Sequence, residues 1–189
     1  MLDDLAEEHR GVVARVQAPS TMGERELAQR AFEDDALVVV LDGIEDPQNL
    51  GAAARAAEAA GASALVSRLR RSADVTEAAI RSSAGALLHL PHARVANLPR
   101  ALDRLKDAGF TVAGLDERAE RSVYDQPAPA GRLAVVLGSE GEGMARLTRE
   151  ACDVLVSLPM RGKVGSLNAA ASLAAVLYAW VLPSRHRPG

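Results

Sequence analysis

The run Ala36-Leu37-Val38-Val39-Val40-Leu41 constrains this chain more than any other stretch. It is short, unbroken and rich in β-branched side chains. A strand wet on one face would alternate apolar with polar residues, so this one must be buried on both faces, with helices covering its sheet above and below. The theme repeats. Ala64-Leu65-Val66, Ala86 to Leu90, Phe110 to Leu115, Leu133 to Leu137 and Val154 to Leu158 are further strand candidates. Between them lie stretches of helical character: Glu24 to Glu33, Leu50 to Ala60 closed by Gly61, Val75 to Ser83, Leu98 to Ala108 closed by Gly109, and Leu167 to Val181. Strands alternating with helices predict an α/β domain with a mostly parallel sheet flanked by helices. The 189 residues suit one such domain, taken as 23–189, after a short charged arm over 1–22.

Composition narrows the chemistry. The single cysteine, Cys152, excludes a disulfide framework and a Cys-rich zinc site; it reads as a small buried hydrophobe. The four histidines do not pair at metal-ligand spacing, so no metal is expected. No apolar stretch nears the roughly 20 residues needed to span a bilayer, and the first residues lack the pattern of a secretory signal. A soluble cytoplasmic protein, with no membrane partner, is the expectation. Lys plus Arg number 22 against 25 Asp plus Glu, a net charge of −3 that argues mildly against a nucleic-acid partner. Arginine is unevenly spread, however, with Arg68, Arg70, Arg71 and Arg81 clustered ahead of Arg94, Arg100 and Arg104. A solvated face and a binding patch both account for that cluster.

In an open parallel sheet, ligands bind beyond the carboxyl ends of the strands. Three polar, glycine-bearing segments follow strand candidates. The first runs from Asp42 to Gly51, with Arg55 in the helix beyond. Asn49 and Gly51 are either helix-start residues or site residues. Arg55 stands among Ala52, Ala53, Ala54, Ala56 and Ala57, and its guanidinium is aimed either at an anion or at a surface ion-pair partner. The second segment is Gly138-Ser139-Glu140-Gly141-Glu142-Gly143, whose glycines permit close backbone approach to a ligand. Its spacing is not that of a dinucleotide fingerprint, and Glu140 and Glu142 would repel a pyrophosphate, which disfavours a nucleotide-dependent dehydrogenase. The third is Leu158-Pro159-Met160 through Ser166-Leu167-Asn168, entering the last helix. Ser166 and Asn168 read as N-cap residues or, beside Arg161 and Lys163, as anion holders. That last helix is apolar nearly all round, which suits a subunit interface.

Together, Asn49-x-Gly51-x3-Arg55, Leu137 to Gly143, and Leu158-Pro159-Met160 with Ser166-Leu167-Asn168 resemble the three motifs of the knotted SpoU (TrmH-like) RNA 2′-O-ribose methyltransferases. Between them, Arg81-Ser82-Ser83-Ala84-Gly85-Ala86, His89-Leu90-Pro91, Asn97-Leu98 and Leu105 to Phe110 resemble the subgroup that methylates a guanosine of 23S rRNA. His9 to Ala14 is similar to that subgroup's connection between an N-terminal RNA-binding domain and the catalytic domain, with Arg10 where glutamine is common. The resemblance covers residues 9 to 182, and its abrupt start favours a catalytic domain without the RNA-binding one.

The resemblance implies a C-terminal trefoil knot, S-adenosyl-L-methionine as cofactor, RNA as substrate and an obligate homodimer. Gly138, Gly141, Leu158, Met160 and Leu167 would hold the cofactor. Asn49, Arg55, Glu140, Ser166 and Asn168 would form the catalytic set. Arg55 would come from the neighbouring protomer. Because a guanidinium stays protonated at neutral pH, positioning of a phosphate suits Arg55 better than general-base work. A tRNA ribose and a non-catalytic assembly role are the alternatives.

Overall fold

The computed structural model describes residues 20–163 and 165–185; most of the predicted arm lies outside the described residues. Six strands form one sheet: β1 (Leu37–Asp42), β2 (Ala64–Arg68), β3 (His92–Val95), β4 (Thr111–Leu115), β5 (Leu133–Gly138) and β6 (Val154–Val156). Their order is β3-β2-β1-β5-β4-β6, and every neighbouring pair is parallel. The helices are α1 (Glu24–Gln29), α2 (Pro47–Ala59), α3 (Glu77–Ser82), α4 (Leu98–Asp107), α5 (Arg146–Glu150), α6 (Ala169–Val176) and α7 (Leu182–Arg185). None of the described helices is long and apolar enough to cross a membrane.

The unbroken apolar run of β1 has the predicted cause. Its odd positions, Leu37, Val39 and Leu41, pack with Leu65, Val135 and Leu137 in a core shared with α2 and α6. Its even positions, Val38 and Val40, join Val66, Ala134 and Val136 against Leu98, Ala101, Leu102 and Leu105 of α4. All six residues of β1 are buried, each large side chain contributing about 1.5–3 kcal/mol of burial. The strand order reverses between β1 and β5, paired from Leu37↔Leu133 to Asp42↔Gly138. The carboxyl ends there are the place where an open α/β sheet binds ligands.

Three expectations need correction. Ala86 to Leu90 is not a strand: Ala86–Leu88 is one 3₁₀ turn, entered through Gly85 at φ +88°. Leu87 and Leu90 are apolar because they plug the core beneath α2. The strand beyond it is β3, at one edge of the sheet, which breaks the apolar pattern with His92 and Arg94. His92 Nε2 meets Ser67 Oγ at 2.8 Å inside the core, and Arg94 pairs with Asp74 at 2.5 Å. Met22 bonds this edge on both sides, its N–H donating to the His92 carbonyl and its carbonyl accepting from Arg94. The last helix is also not uniform. After α6 the chain widens into a π-helical turn over Leu177–Val181, where the Trp180 indole N–H donates to the Gln126 carbonyl at 2.8 Å. Helix α1 stops at Gln29 because Arg30 is extended, four residues short of the predicted Glu33.

Candidate active site

The three predicted segments meet at one point. Asp46 caps α2, accepting from the N–H groups of Gln48 and Asn49, and Pro47 occupies the first turn. The cap thus falls on Asp46, and the Asn49 side chain is released for another use. Its Nδ2 donates to Glu140 Oε1 at 3.2 Å. Asn168 Nδ2 donates to the same oxygen at 2.9 Å and to Asn49 Oδ1 at 2.7 Å. The Ala169 N–H adds a further bond to Glu140 Oε1 at 3.1 Å. Asn168 Oδ1 meanwhile caps α6, accepting from Ala170 and Ala171. Capping and site formation, set out as alternatives for Asn168, coexist in one side chain. Three donors therefore converge on one carboxylate oxygen at the positive end of α6.

Glu140 sits on a loop that folds back on the end of β5. Ser139 and Gly143 exchange two backbone hydrogen bonds, at 3.2 and 3.0 Å. A Cβ on Gly138 would lie 2.1 Å from the Gly143 carbonyl carbon and 2.2 Å from the Met144 nitrogen, so no side chain fits there. The loop's own backbone, rather than a ligand, requires this glycine.

Beside this loop opens a cleft enclosing about 930 Å³ including its mouth. Gly138, Glu140, Gly141, Leu158, Met160, Ser166 and Leu167 all line it. Met160 and Leu167 are 38% and 42% exposed, leaving apolar surface at the rim for a ligand to cover. Asn49 and Asn168 stand behind Glu140 and do not line the cleft. Arg55 joins neither the cleft nor the hydrogen-bonded group; it is exposed on α2, and no partner for it is present among the described residues.

The opposite wall is a segment that sequence reasoning missed: Asp116, Glu117 and Arg118, directly beyond β4, with Arg149 of α5. The rule that found the other loops, polar residues beyond a strand's carboxyl end, would have found this one. Burial alone would raise the Asp116 carboxyl. The Arg118 N–H at 2.8 Å and the Arg149 guanidinium outweigh it and hold the carboxyl below its usual range. With Glu117, Glu140 and Glu142 alongside, the cleft presents an acidic polar face opposite Leu115, Leu137 and Leu158.

Most of the arginine cluster is spent on structure. Arg68 pairs with buried Asp42, and Arg100 and Arg104 hold Glu24 at 2.7 and 3.3 Å. Arg81 pairs with Glu77 one turn back. Cys152 is half-buried beside Thr148, and burial pushes its thiol up to about 12.

A parallel sheet covered on both faces, with a cleft shaped by the segments beyond β4, β5 and β6, defines an open α/β domain with a candidate ligand site at the carboxyl ends of its strands. The chain belongs to the SpoU rRNA Methylase family, whose model matches residues 36–178. Among its relatives are proteins named 23S rRNA (guanosine-2′-O-)-methyltransferase RlmB. That of a Burkholderia species is 46% identical over 160 residues, 85% of this chain and 64% of the relative. That of Haemophilus influenzae is 44% identical, covering 91% of this chain and 70% of the relative. The chain thus spans about two-thirds of the length of these curated relatives. The SpoU methyltransferase AviRb from Streptomyces viridochromogenes, solved in complex with AdoMet, superposes with a TM-score of 0.72 at 33% identity. That match covers 78% of this chain and 60% of AviRb.

Proposed function

We propose that the chain transfers a methyl group from S-adenosyl-L-methionine to a ribose 2′-hydroxyl in RNA, at a guanosine of 23S rRNA. The observation that carries this reading is the convergence of Asn49, Glu140 and Asn168 at the edge of the cleft. The lining fits the cofactor: Leu115, Leu137, Leu158 and Leu167 suit an adenosine, and the carboxylates suit a sulfonium. When bound, the cofactor supplies a methyl group already activated by its sulfonium. Gly138, Gly141, Leu158, Met160 and Leu167 would hold it.

Of the two carboxylate oxygens of Glu140, Oε1 takes all three donors, and Oε2 has no partner among the described residues. Glu140 would therefore accept a hydrogen bond from the ribose hydroxyl, orienting it for in-line attack. Asn49 and Asn168 keep the carboxylate in place, and Ser166 lines the same rim. Arg55 would hold the adjacent phosphate. Its exposure on α2, away from its own chain's cleft, supports delivery to the site of a second copy. The neighbouring face of the last helix has the small and apolar residues such a homodimer needs: Ala171 and Tyr178 exposed, Ala175 and Leu182 half-buried.

The reading extends to residues 23–189 as the catalytic domain, 1–22 as its arm, and a trefoil knot in the C-terminal third. Supporting the knot, the chain leaves β5, pairs as β6 on the far side of β4, and returns past the Glu140 loop to pack α6 on α2.

The test is methyl transfer to 23S rRNA fragments with calorimetric titration of the cofactor. Wild type should bind saturably as a dimer. Arg55→Ala and Glu140→Ala should each lose at least tenfold in rate while still binding cofactor, and co-expressed mixed dimers of the two should recover activity. Full activity in Arg55→Ala would refute the role of that residue, and failure of a folded dimer to bind the cofactor would refute the reading as a whole.

A further inference from the structure

A second pocket adjoins the cleft on the other side of the Glu140 loop, enclosing about 1230 Å³ with its mouth. Three segments wall it: the β1–α2 loop with Glu45 and the start of α2 with Asn49, the end of β2 with Arg68 and the turn beyond it with Arg71, and the loop bearing Glu140 and Glu142. Glu140 lines both spaces, so a nucleotide seated here would have its ribose at the Asn49–Glu140 junction. We propose that this pocket receives the base of the target nucleotide, and that Arg71 and Glu45 select guanine. The inference rests on the function proposed above.

The two arginines of the pocket are in different states. Arg68 is consumed by its ion pair with buried Asp42 and its bond to Thr148. Arg71 is exposed, makes no hydrogen bond or ion pair among the described residues, and sits at φ +56°. A left-handed backbone at a residue other than glycine is costly, and such residues concentrate at ligand sites. Glu45, across the pocket, is also exposed and without a partner among the described residues. A phosphate is a poor occupant, because Glu45, Asp46 and Glu142 face the same space. Guanine suits both signs. Its O6 and N7 accept two hydrogen bonds from a guanidinium, and its N1–H and N2–H₂ donate to a carboxylate. Adenine puts a donor where Arg71 would donate and offers nothing at position 2.

The experiment uses Arg71→Gly, since glycine adopts φ +56° without strain and the melting temperature should hold. Methyl transfer is measured as kcat/KM on RNAs carrying guanosine, 7-deazaguanosine, inosine or adenosine at the target position. Arg71→Gly should lose roughly tenfold to a hundredfold on guanosine and much less on 7-deazaguanosine, which lacks N7. Glu45→Gln should lose rate on guanosine and little on inosine, which lacks the N2 amino group. Equal losses on all four RNAs, or an undiminished guanosine preference in both variants, would overturn the proposal. If wild type methylates no RNA, the function falls, and titration with GMP and AMP followed by NMR judges the pocket independently. GMP should perturb wild type at lower concentration than AMP, a preference absent in Arg71→Gly; an equal response to both nucleotides overturns the pocket assignment.

Discussion

Replacing Gly51 by alanine sets two physical effects against each other, and the structure decides which prevails. Gly51 is buried in the second turn of α2. Helix propensity alone says that alanine there would stabilise the chain by about 1 kcal/mol. The Cβ, however, would lie 1.9 Å from Ser82 Oγ, 2.3 Å from the Ala79 carbonyl oxygen and 2.9 Å from the Ser83 nitrogen. The hydroxyl can rotate away, at the loss of its bonds to the Gln48 and Ala79 carbonyls, which is worth about 1 kcal/mol. The backbone of α3 cannot rotate away, so α2 and α3 must separate, an overpacking cost of about 2–3 kcal/mol. The net destabilisation is roughly 2–3 kcal/mol, a fall in melting temperature of about 4–12 °C for a chain of this size. Thermal unfolding of Gly51→Ala, Ser82→Ala and the double variant would measure it. Removing the hydroxyl leaves the Ala79 contact at 2.3 Å, so the double variant should remain less stable than Ser82→Ala alone. A Gly51→Ala chain at or above the wild-type melting temperature would refute the close-approach argument.

Three other outcomes follow. His92 is buried against Ser67, and that burial, aided by Arg94, pushes its imidazole down to about 4. The neutral form is favoured in the fold, so this contribution is complete above the unfolded value near 6.5 and is lost as pH falls towards 4. The loss is on the order of 3 kcal/mol, and NMR titration showing a His92 pKa near 6.5 would refute it. Asp42→Asn removes the carboxylate from the Arg68 pair while its side chain is only 2% exposed; denaturant unfolding should show a loss of about 3 kcal/mol, and a change within 0.5 kcal/mol would count against the pair. Cys152 should resist iodoacetamide at pH 8 in the native chain and react readily once unfolded, because its thiol is held up near 12; fast native alkylation would contradict its burial.

Five of the six strands were legible, because each carries a continuous apolar run, which burial on both faces demands most strictly in the central β1 and β5. The sixth, His92–Val95, was hidden, because its polar residues are satisfied by partners distant in sequence: Ser67 for His92 and Asp74 for Arg94. The decoy Ala86–Leu90 had the right hydropathy but serves as a plug, and a one-dimensional pattern does not distinguish plug from strand. The cleft residues Gly138, Glu140, Leu158, Met160, Ser166 and Leu167 were legible from their loops after strands. The wall beyond β4 was not, because Asp116, Glu117 and Arg118 have no glycine punctuation to draw attention. Arg55 shows a different limit: its alanine neighbours marked it as unusual, but on this chain it is exposed and joins neither the cleft nor the group around Glu140.

The strand order divides the chain into two consecutive halves. Residues 37–95 contribute β1, β2 and β3, and residues 98–156 contribute β4, β5 and β6; among the described residues, the β1–β5 ladder alone joins them within the sheet. During synthesis the first half emerges with Leu37–Asp42 bare along one edge and must wait for Leu133–Gly138, some 90 residues later, to be covered. An uncovered apolar edge of this kind invites pairing with another nascent chain. Severed between residues 96 and 97, the two pieces would each carry one side of the seam. Each would be insoluble alone, and together they could reassemble, making the central ladder the natural place to build a split reporter of folding in the cell.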